Sequence, residues 1–373
     1  MSFNCLHSIF ELNLKAILVL AYCASASGVG EILLNVGLIG IGHMGKLHLM
    51  NALRIDGINV VAVADKSERN RKSVERYHLK TYDDYNDLID TEKLDAVIIS
   101  LPNFLKKESV FRAAESKLDI FLDKPLSRNF AEGLEIVQKV RKENVRLMVG
   151  ANYRYFDSVQ KLKSNLDEGR IGDIVIATSE LIMNGPLSHA LVPTPVPEWW
   201  FDKELSGGGA LLDLGYHLID LLFWMFGELQ PVYSTLGYEL NLPVEDACTV
   251  VLESKNESAK CVVNVGWFSR SIFPDFNFRV NLHGTVGYDS TERYSPRDLR
   301  VHAVKEGALN LFRKISRKKV HYLSYTYYYY SFYKILDVFF ETLKRGTELP
   351  ISLEDQLGVL QTIDSIYKKN GVN

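Results

Sequence analysis

Leu33-Leu34-Asn35-Val36-Gly37-Leu38-Ile39 runs straight into Gly40-Ile41-Gly42-His43-Met44-Gly45, and a helical stretch follows over about 46–54. A continuous apolar run of this kind reads as a strand buried on both faces, as in a parallel sheet. A second strand over 59–64 ends at Asp65, 20 residues past Gly45. With 25 glycines in 373 residues, a chance G-x-G-x-x-G occurs in roughly one such chain in ten, so the glycines alone decide little. Strand, glycines, helix, second strand and acid in that order decide much more.

Each part of the stretch has a physical task. Gly40 permits the tight turn, Gly42 lets the backbone approach a pyrophosphate, and Gly45 lets the helix pack against the sheet. His43 and Met44 complete the loop, and the helix N-terminus offers unpaired N–H groups to the phosphates. Asp65 accepts hydrogen bonds from both ribose hydroxyls and repels a 2′-phosphate, which favours NAD. Lys66, Ser67 and Arg69 follow closely and leave NADP open. A Gly-rich turn with no ligand is the competing reading, and the full context disfavours it.

The alternation continues. Helices are expected over 67–77, 85–89, 107–116 and 131–142, and strands over 95–100, 119–122 and 146–149. Repeated strand–helix units with short loops build a parallel sheet covered on both faces. Ligands of such sheets sit outside the carboxyl ends of the strands, which points at Pro102, Asn103, Asp123, Lys124, Asn152 and Arg154.

Composition bounds the function classes. The 43 Lys and Arg nearly cancel 46 Asp and Glu, leaving a net −3 and no overall basic footprint for nucleic acid or an anionic membrane, a local patch aside. The four cysteines form no C-x-x-C pair and read as buried thiols of a reducing, cytoplasmic compartment. The nine histidines show no H-x-H or H-E-x-x-H spacing, so no metal is expected. Residues 1–33 form an extension of uncertain role. Its apolar run at 16–22, followed by Ala24-Ser25-Ala26, has an export-signal flavour. Glu11 cancels Lys15, Tyr22 precedes Cys23, and the run falls short of the roughly 20 residues that span a bilayer. A dispensable or mis-assigned leader is the favoured reading, and no membrane-spanning stretch is expected beyond it.

After Gly150 the alternation stops. A helix over 159–168 leads to a strand over 174–180, a Pro- and aromatic-rich segment over 184–202, and then Ser206-Gly207-Gly208-Gly209 opening an apolar helix that ends at Gly227. Alternating runs over 247–252, 260–267, 276–283 and 286–289 read as antiparallel strands. Two amphipathic helices close the chain, one marked by Phe332, Ile335, Leu336, Phe339 and Leu343. The other is marked by Leu357, Leu360, Ile363 and Ile366, with Ser352 and Asp355 as a capping box. Asp213 and His217 are four apart, neighbours on one helical face, and a carboxylate one turn from an imidazole raises its basicity. A satisfied histidine on a packed helix is the alternative.

Gly40–Gly45, Leu101-Pro102-Asn103, Asp123-Lys124-Pro125, Asn152-Tyr153-Arg154 and Gly207-Gly208-Gly209…Asp213…His217…Asp220 occur in order. In this the chain resembles the Gfo/Idh/MocA family of sugar and polyol dehydrogenases, from about Leu34 to the last helix. The resemblance implies an α/β fold with a Rossmann NAD(P)-binding domain over 34–150. It also implies an α+β domain over 151–373, whose open, mostly antiparallel sheet forms the substrate floor and the contact of a homodimer or homotetramer. It implies Leu101, Pro102, Asn103, Asp123 and Lys124 beside the cofactor. By position, Lys124 corresponds to the lysine near the nicotinamide and the reacting hydroxyl, and His217 to the general acid/base. Asp213 corresponds to the residue that contacts substrate and assists the histidine. Asn152, Arg154 and Trp200 join them on the substrate side.

Two positions depart from the family pattern. Asp123 stands where Glu is usual, and Lys106 replaces a histidine often found three residues after the strand-end Asn. Trp199 and Trp200 either stack on a sugar face, line a subunit contact or anchor a loop. Arg313-Lys314-Ile315-Ser316-Arg317-Lys318-Lys319 is read as a solvated charge run before a diphosphate site, and the tyrosines of 325–330 as the opening of a packed helix. The leading expectation is a dehydrogenase of a small-molecule sugar, cyclic polyol or nucleotide sugar. A redox-neutral enzyme with tightly held NAD and a non-catalytic sensor are the alternatives.

Overall fold

The structure is a computed structural model that describes residues 33–183, 197–256, 258–268, 277–322, 324 and 326–372. The leader with Cys5 and Cys23, the bulk of the Pro-rich segment (184–196), Phe276 and Tyr325 lie outside the described residues.

The opening apolar run forms β1 (Leu34–Ile39), which pairs in parallel with β2 (Ile58–Ala64) on one side and β4 (Ala96–Ile99) on the other. With β3 (Lys80–Tyr82), β5 (Asp119–Leu122) and β6 (Leu147–Val149) the sheet has the order β3-β2-β1-β4-β5-β6. Strand order reverses between β1 and β4, so a crevice opens outside their carboxyl ends. Helices α1 (His43–Ala52), α2 (Glu68–Lys72), α3 (Tyr85–Thr91), α4 (Asn103–Glu115) and α5 (Phe130–Glu143) alternate with these strands. β3 escapes the hydropathy pattern because it is three residues long, polar and at the sheet edge, where strands are kept short and charged.

The second sheet has the order β12-β11-β7-β10-β9-β8. Its strands are β7 (Ile174–Ile182), β8 (Leu229–Gly237), β9 (Ala247–Ser254), β10 (Lys260–Gly266), β11 (Asn277–Gly284) and β12 (Tyr288–Ser290). Only β7 and β10 run parallel; the other neighbours are antiparallel. β8 is an edge strand that contains Pro231, which breaks its alternation and is tolerated where no partner needs the N–H. Between the sheets the chain supplies α6 (Asp157–Asp167), α7 (Lys203–Ser206), a five-residue π turn (Leu211–Gly215) and α8 (Tyr216–Phe226). The stretch Lys203–Phe226 is apolar and long enough to cross a bilayer, but it is largely buried as the core helix under the second sheet.

Three helices end the chain: α9 (Leu299–Ile315), α10 (Tyr327–Arg345) and α11 (Leu353–Lys369). Ser352 caps α11 by accepting from the Asp355 N–H, at 3.0 Å. The sequence order places α10 with the second sheet, yet its apolar side returns to the first. Tyr333, Ile335, Leu336, Phe339, Phe340 and Leu343 share one core with Val36, Leu38, Ile98, Phe121 and Met148. The Phe121 and Phe339 rings meet edge to face at 5.6 Å. A parallel sheet has to bury both faces, and α10 covers what α1 leaves bare.

Phe339→Ala removes a fully buried ring at this contact and is expected to cost about 3–5 kcal/mol. Urea unfolding measures it; a cost under about 1 kcal/mol contradicts the packing described.

Candidate active site

The turn after β1 is shaped for a phosphate. Gly40 has φ +88°, and a Cβ there would lie 2.2 Å from the Ser100 carbonyl oxygen, while a Cβ on Gly45 would lie 2.0 Å from that of Gly40. Gly42 faces open space as the N-cap of α1 and has no side chain to cap it, and the first turn of a helix carries N–H groups with no intrahelical partner. His43 is exposed and Met44 half-buried in that first turn. Asp65, at the end of β2, latches the loop: Oδ2 accepts from the Ile41 N–H at 2.7 Å and Oδ1 from the Ser67 N–H at 2.8 Å. Leu101 and Pro102 lie half-buried after β4, and Asn103 Nδ2 donates to the Ser206 carbonyl at 2.7 Å, tying α4 to α7. A glycine loop, an uncapped helix start and an acid at the next strand end fit a dinucleotide.

Beyond the crevice the two layers meet at Lys124, whose peptide bond to Pro125 is cis. Lys124 Nζ donates to Asp213 Oδ1 at 2.8 Å and to the Asp213 carbonyl at 2.9 Å. The other carboxylate oxygen of Asp213 accepts from Trp267 Nε1 at 3.2 Å. His217 is nearly buried and stacks on Tyr153, ring centroids 4.0 Å apart. Burial first, and then the charge of Lys124, hold the His217 imidazole well below its ordinary pKa, so the ring is neutral at neutral pH. Burial likewise pushes the Tyr153 phenol up, so it stays protonated.

The α-helical spacing that would set Asp213 against His217 is interrupted by the π turn at Leu211–Gly215, which offsets residues four apart. No hydrogen bond joins the two among the described residues; the Asp213 carboxylate serves Lys124 and Trp267 instead. Arg154 and Asn152 also lie elsewhere than expected. Arg154 is buried, with Nε and Nη2 donating to the two oxygens of Asp220 at 2.9 and 2.7 Å, and Asp220 also accepts from Gln356 at 2.7 Å. Its donor fork is spent on structure, not on a ligand. Asn152 donates to Ser331 Oγ at 2.8 Å, inside the protein. Trp200 does approach the cluster, its ring 6.3 Å from that of Trp267. Trp199 rests on Phe104, at 6.1 Å. Among the described residues, no three His, Cys, Asp or Glu side chains gather as a metal site.

Three members of the site were not singled out by sequence reasoning. Tyr153 sits between Asn152 and Arg154 at a strand end, where the carboxyl-end rule could have reached it. Trp267 lies just past the end of β10. Lys106 registers in the sequence only as a departure from the family pattern, and its task is now visible. Its Nζ donates to the carbonyl oxygens of Asp123, Lys124 and Pro125 at 2.8, 2.8 and 2.9 Å, all three ammonium protons used. Burial pushes Lys106 down to about 7. Asp123 stands between these charges, with His48 Nε2 3.5 Å from its Oδ1. Burial alone would raise the Asp123 carboxyl; His48, Lys106 and Lys124 outweigh that and hold it below the usual carboxylate range.

A dinucleotide crevice at the switch point of a parallel sheet, opening on a lysine, an acid and a neutral histidine, defines a two-domain NAD-binding oxidoreductase. Residues 34–151 match the oxidoreductase family model with an NAD-binding Rossmann fold, and residues 159–288 match the GFO/IDH/MocA C-terminal domain. The chain belongs to the Gfo/Idh/MocA oxidoreductase family. It is 29% identical over 276 residues to the uncharacterized oxidoreductase YrbE of Bacillus subtilis, covering 71% of this chain and 75% of that protein. It is 27% identical over 264 residues to myo-inositol 2-dehydrogenase of Thermotoga maritima, covering 68% and 74%. In fold it is similar to the WlbA dehydrogenase from Bordetella pertussis, solved in complex with NADH and UDP-GlcNAcA. The TM-score is 0.75 at 19% identity, over 92% of this chain and 98% of that one.

Two outcomes test the assigned tasks. An unfolded lysine keeps its proton up to its ordinary 10.5, while folded Lys106 releases it near 7. The unfolded chain therefore binds more protons between those values, and the Lys106 contribution to stability rises with pH across that window. Lys106→Met is expected to lack this rise, so the wild-type advantage in urea grows between about pH 7 and about pH 9.5. Arg154→Met leaves Asp220 buried without its guanidinium partner and is expected to cost about 3–5 kcal/mol of stability. NAD affinity should be unchanged; a full-stability variant with weakened substrate binding would return Arg154 to the substrate side.

Proposed function

We propose that this protein is an NAD(P)-dependent dehydrogenase acting on a secondary hydroxyl of a sugar, cyclic polyol or nucleotide sugar, or reducing the matching ketone. The observation that carries this reading is the meeting of Lys124, Asp213 and a buried, neutral His217 beside the carboxyl ends of the first sheet. The relative that acts on myo-inositol supports a polyol, and the neighbour solved with UDP-GlcNAcA keeps a nucleotide sugar in the class.

When bound, the nicotinamide supplies the hydride acceptor or donor. His217, kept neutral by burial and by Lys124, has a ring nitrogen available for the proton that leaves the hydroxyl. The Lys124 ammonium stabilises the oxygen as negative charge grows on it, and a fixed charge in a partly dry site is worth most there. Asp213, braced by Trp267, holds Lys124 by carboxylate and carbonyl together and so aims it. Trp200 offers an aromatic face to a sugar ring. Asp65 favours NAD over NADP by repelling a 2′-phosphate. Exposed Val175, Ile176, Val232, Tyr233 and Tyr288 on the second sheet suit a homodimer or homotetramer contact, and the burial of Cys248 and Cys261 suits a reducing, cytoplasmic setting.

The test follows reduced-cofactor absorbance with NAD and NADP over polyols, free sugars and nucleotide sugars. One substrate class should turn over, with NAD preferred. Lys124→Met and His217→Asn should each lower kcat by about 10²–10⁴-fold while NAD still binds. The wild-type oxidation rate should stay level below pH 6.5, because His217 takes up its own proton only well under that value. Full kcat in His217→Asn, or no turnover with any class, sinks this reading.

A further inference from the structure

Helix α9 is folded with its polar side inward. His302 Nε2 donates to the Ser324 carbonyl at 2.6 Å, and Asn310 Nδ2 donates to the His321 carbonyl at 2.8 Å. Asn310 Oδ1 accepts from the His321 N–H at 3.0 Å and from Arg313 at 2.9 Å. His302, Glu306, Asn310 and Arg313 thus form the face that meets the protein, and Leu299 alone of the helix is buried. At 3.6 residues per turn, Val301, Val304, Ala308, Leu311, Phe312 and Ile315 fall within about 100° of arc on the opposite side. Five of these, all but Ala308, are 60% to 76% exposed. The polar anchors fix the rotation of the helix, so this stripe faces outward by construction.

Cations border the stripe on both sides. Lys305 flanks Phe312 on one edge, Arg300 and Lys314 flank Leu311 on the other, and Arg317, Lys318 and Lys319 follow the helix end. Residues 299–319 hold seven Lys and Arg against one acid, Glu306. Three of the seven sit in ion pairs, Arg300 with Asp298, Arg313 with Glu306 and Lys319 with Asp56, and the others extend the flanks. The near-neutral charge of the whole chain hides this local patch.

We propose that α9 is an interfacial helix that lies on an anionic lipid bilayer. Its apolar stripe would enter the acyl boundary, with its lysines and arginines at the level of the lipid phosphates. An apolar face bordered by long basic side chains is what such a surface binds, because the stems lie along the lipid while the charged heads reach the phosphates. The helix is about 25 Å long and charged along both flanks, which suits lying in the surface plane and not spanning. A second copy of this chain is the other candidate for an apolar stripe. Across a twofold contact, however, it would set these seven cations against the same seven, which opposes association.

Co-sedimentation of the full chain tests this, using vesicles of phosphatidylcholine alone and of phosphatidylcholine with about one-third phosphatidylglycerol. The chain should bind the phosphatidylglycerol vesicles at least about tenfold more strongly, and added salt should weaken that binding. Phe312→Asp and the double variant Lys314→Glu, Lys318→Glu should each lose it, with thermal melting unchanged because these side chains are exposed. Wild-type protein that stays in the supernatant with both vesicles overturns the proposal. So does Phe312→Asp binding as well as wild type, which moves any attachment to another segment. A dimer that Phe312→Asp converts to monomer, seen by analytical ultracentrifugation without vesicles, assigns the stripe to a second copy instead.

Discussion

The Lys124 ammonium has to be satisfied from across the molecule. It leaves the carboxyl end of β5 in the first sheet, and both of its hydrogen bonds go to Asp213, in the π turn that precedes α8. A buried or half-buried cation without partners is costly, so this pair fixes where the second layer meets the first. The rest of the site follows from that junction. Trp267 reaches Asp213 only because β10 ends beside it, and His217 stacks on Tyr153 only because α8 begins one turn past Asp213. Asn103 adds a neutral tie between α4 and α7 near the same seam.

Much of this was legible wherever burial writes a continuous pattern. β1, β2, β4 and β5 are covered on both faces, so past Asn35, Asn59 and Asp119 near their starts their residues are apolar or glycine, and the glycine loop follows at the position the crevice demands. Elements that escaped are those whose environment is not a core. β3 and β8 lie at sheet edges, where polar residues and proline are allowed. α9 hides its polar side and shows its apolar one, the reverse of a core helix, and only its basic end over 313–319 was singled out in the sequence, as a charge run.

Side-chain roles were legible only where spacing survives folding. Four residues separate Asp213 from His217, but a π turn changes what four residues mean in space, and the carboxylate turns to Lys124. Arg154 sits past a strand end, where a ligand-binding arginine and a structural one look alike. The difference is Asp220, 66 positions away in the chain, whose burial with Arg154 no local pattern encodes. Lys106 is the converse case. An unusual residue in the sequence becomes intelligible once three consecutive carbonyls are seen to converge on its ammonium.

The charges at this corner also explain how a base can work there. Lys124 faces Asp213, and Asp123 stands beside Lys124, His48 and Lys106, so charges of opposite sign sit next to one another at this corner. His217 lies against Lys124, and that proximity, added to burial, keeps its ring unprotonated. Replacing the near cation with a carboxylate would raise the imidazole pKa and fill the lone pair that proton abstraction needs. A lysine is thus suited to this position twice over. It stabilises a developing alkoxide, and it keeps its neighbour ready to receive the proton that makes one.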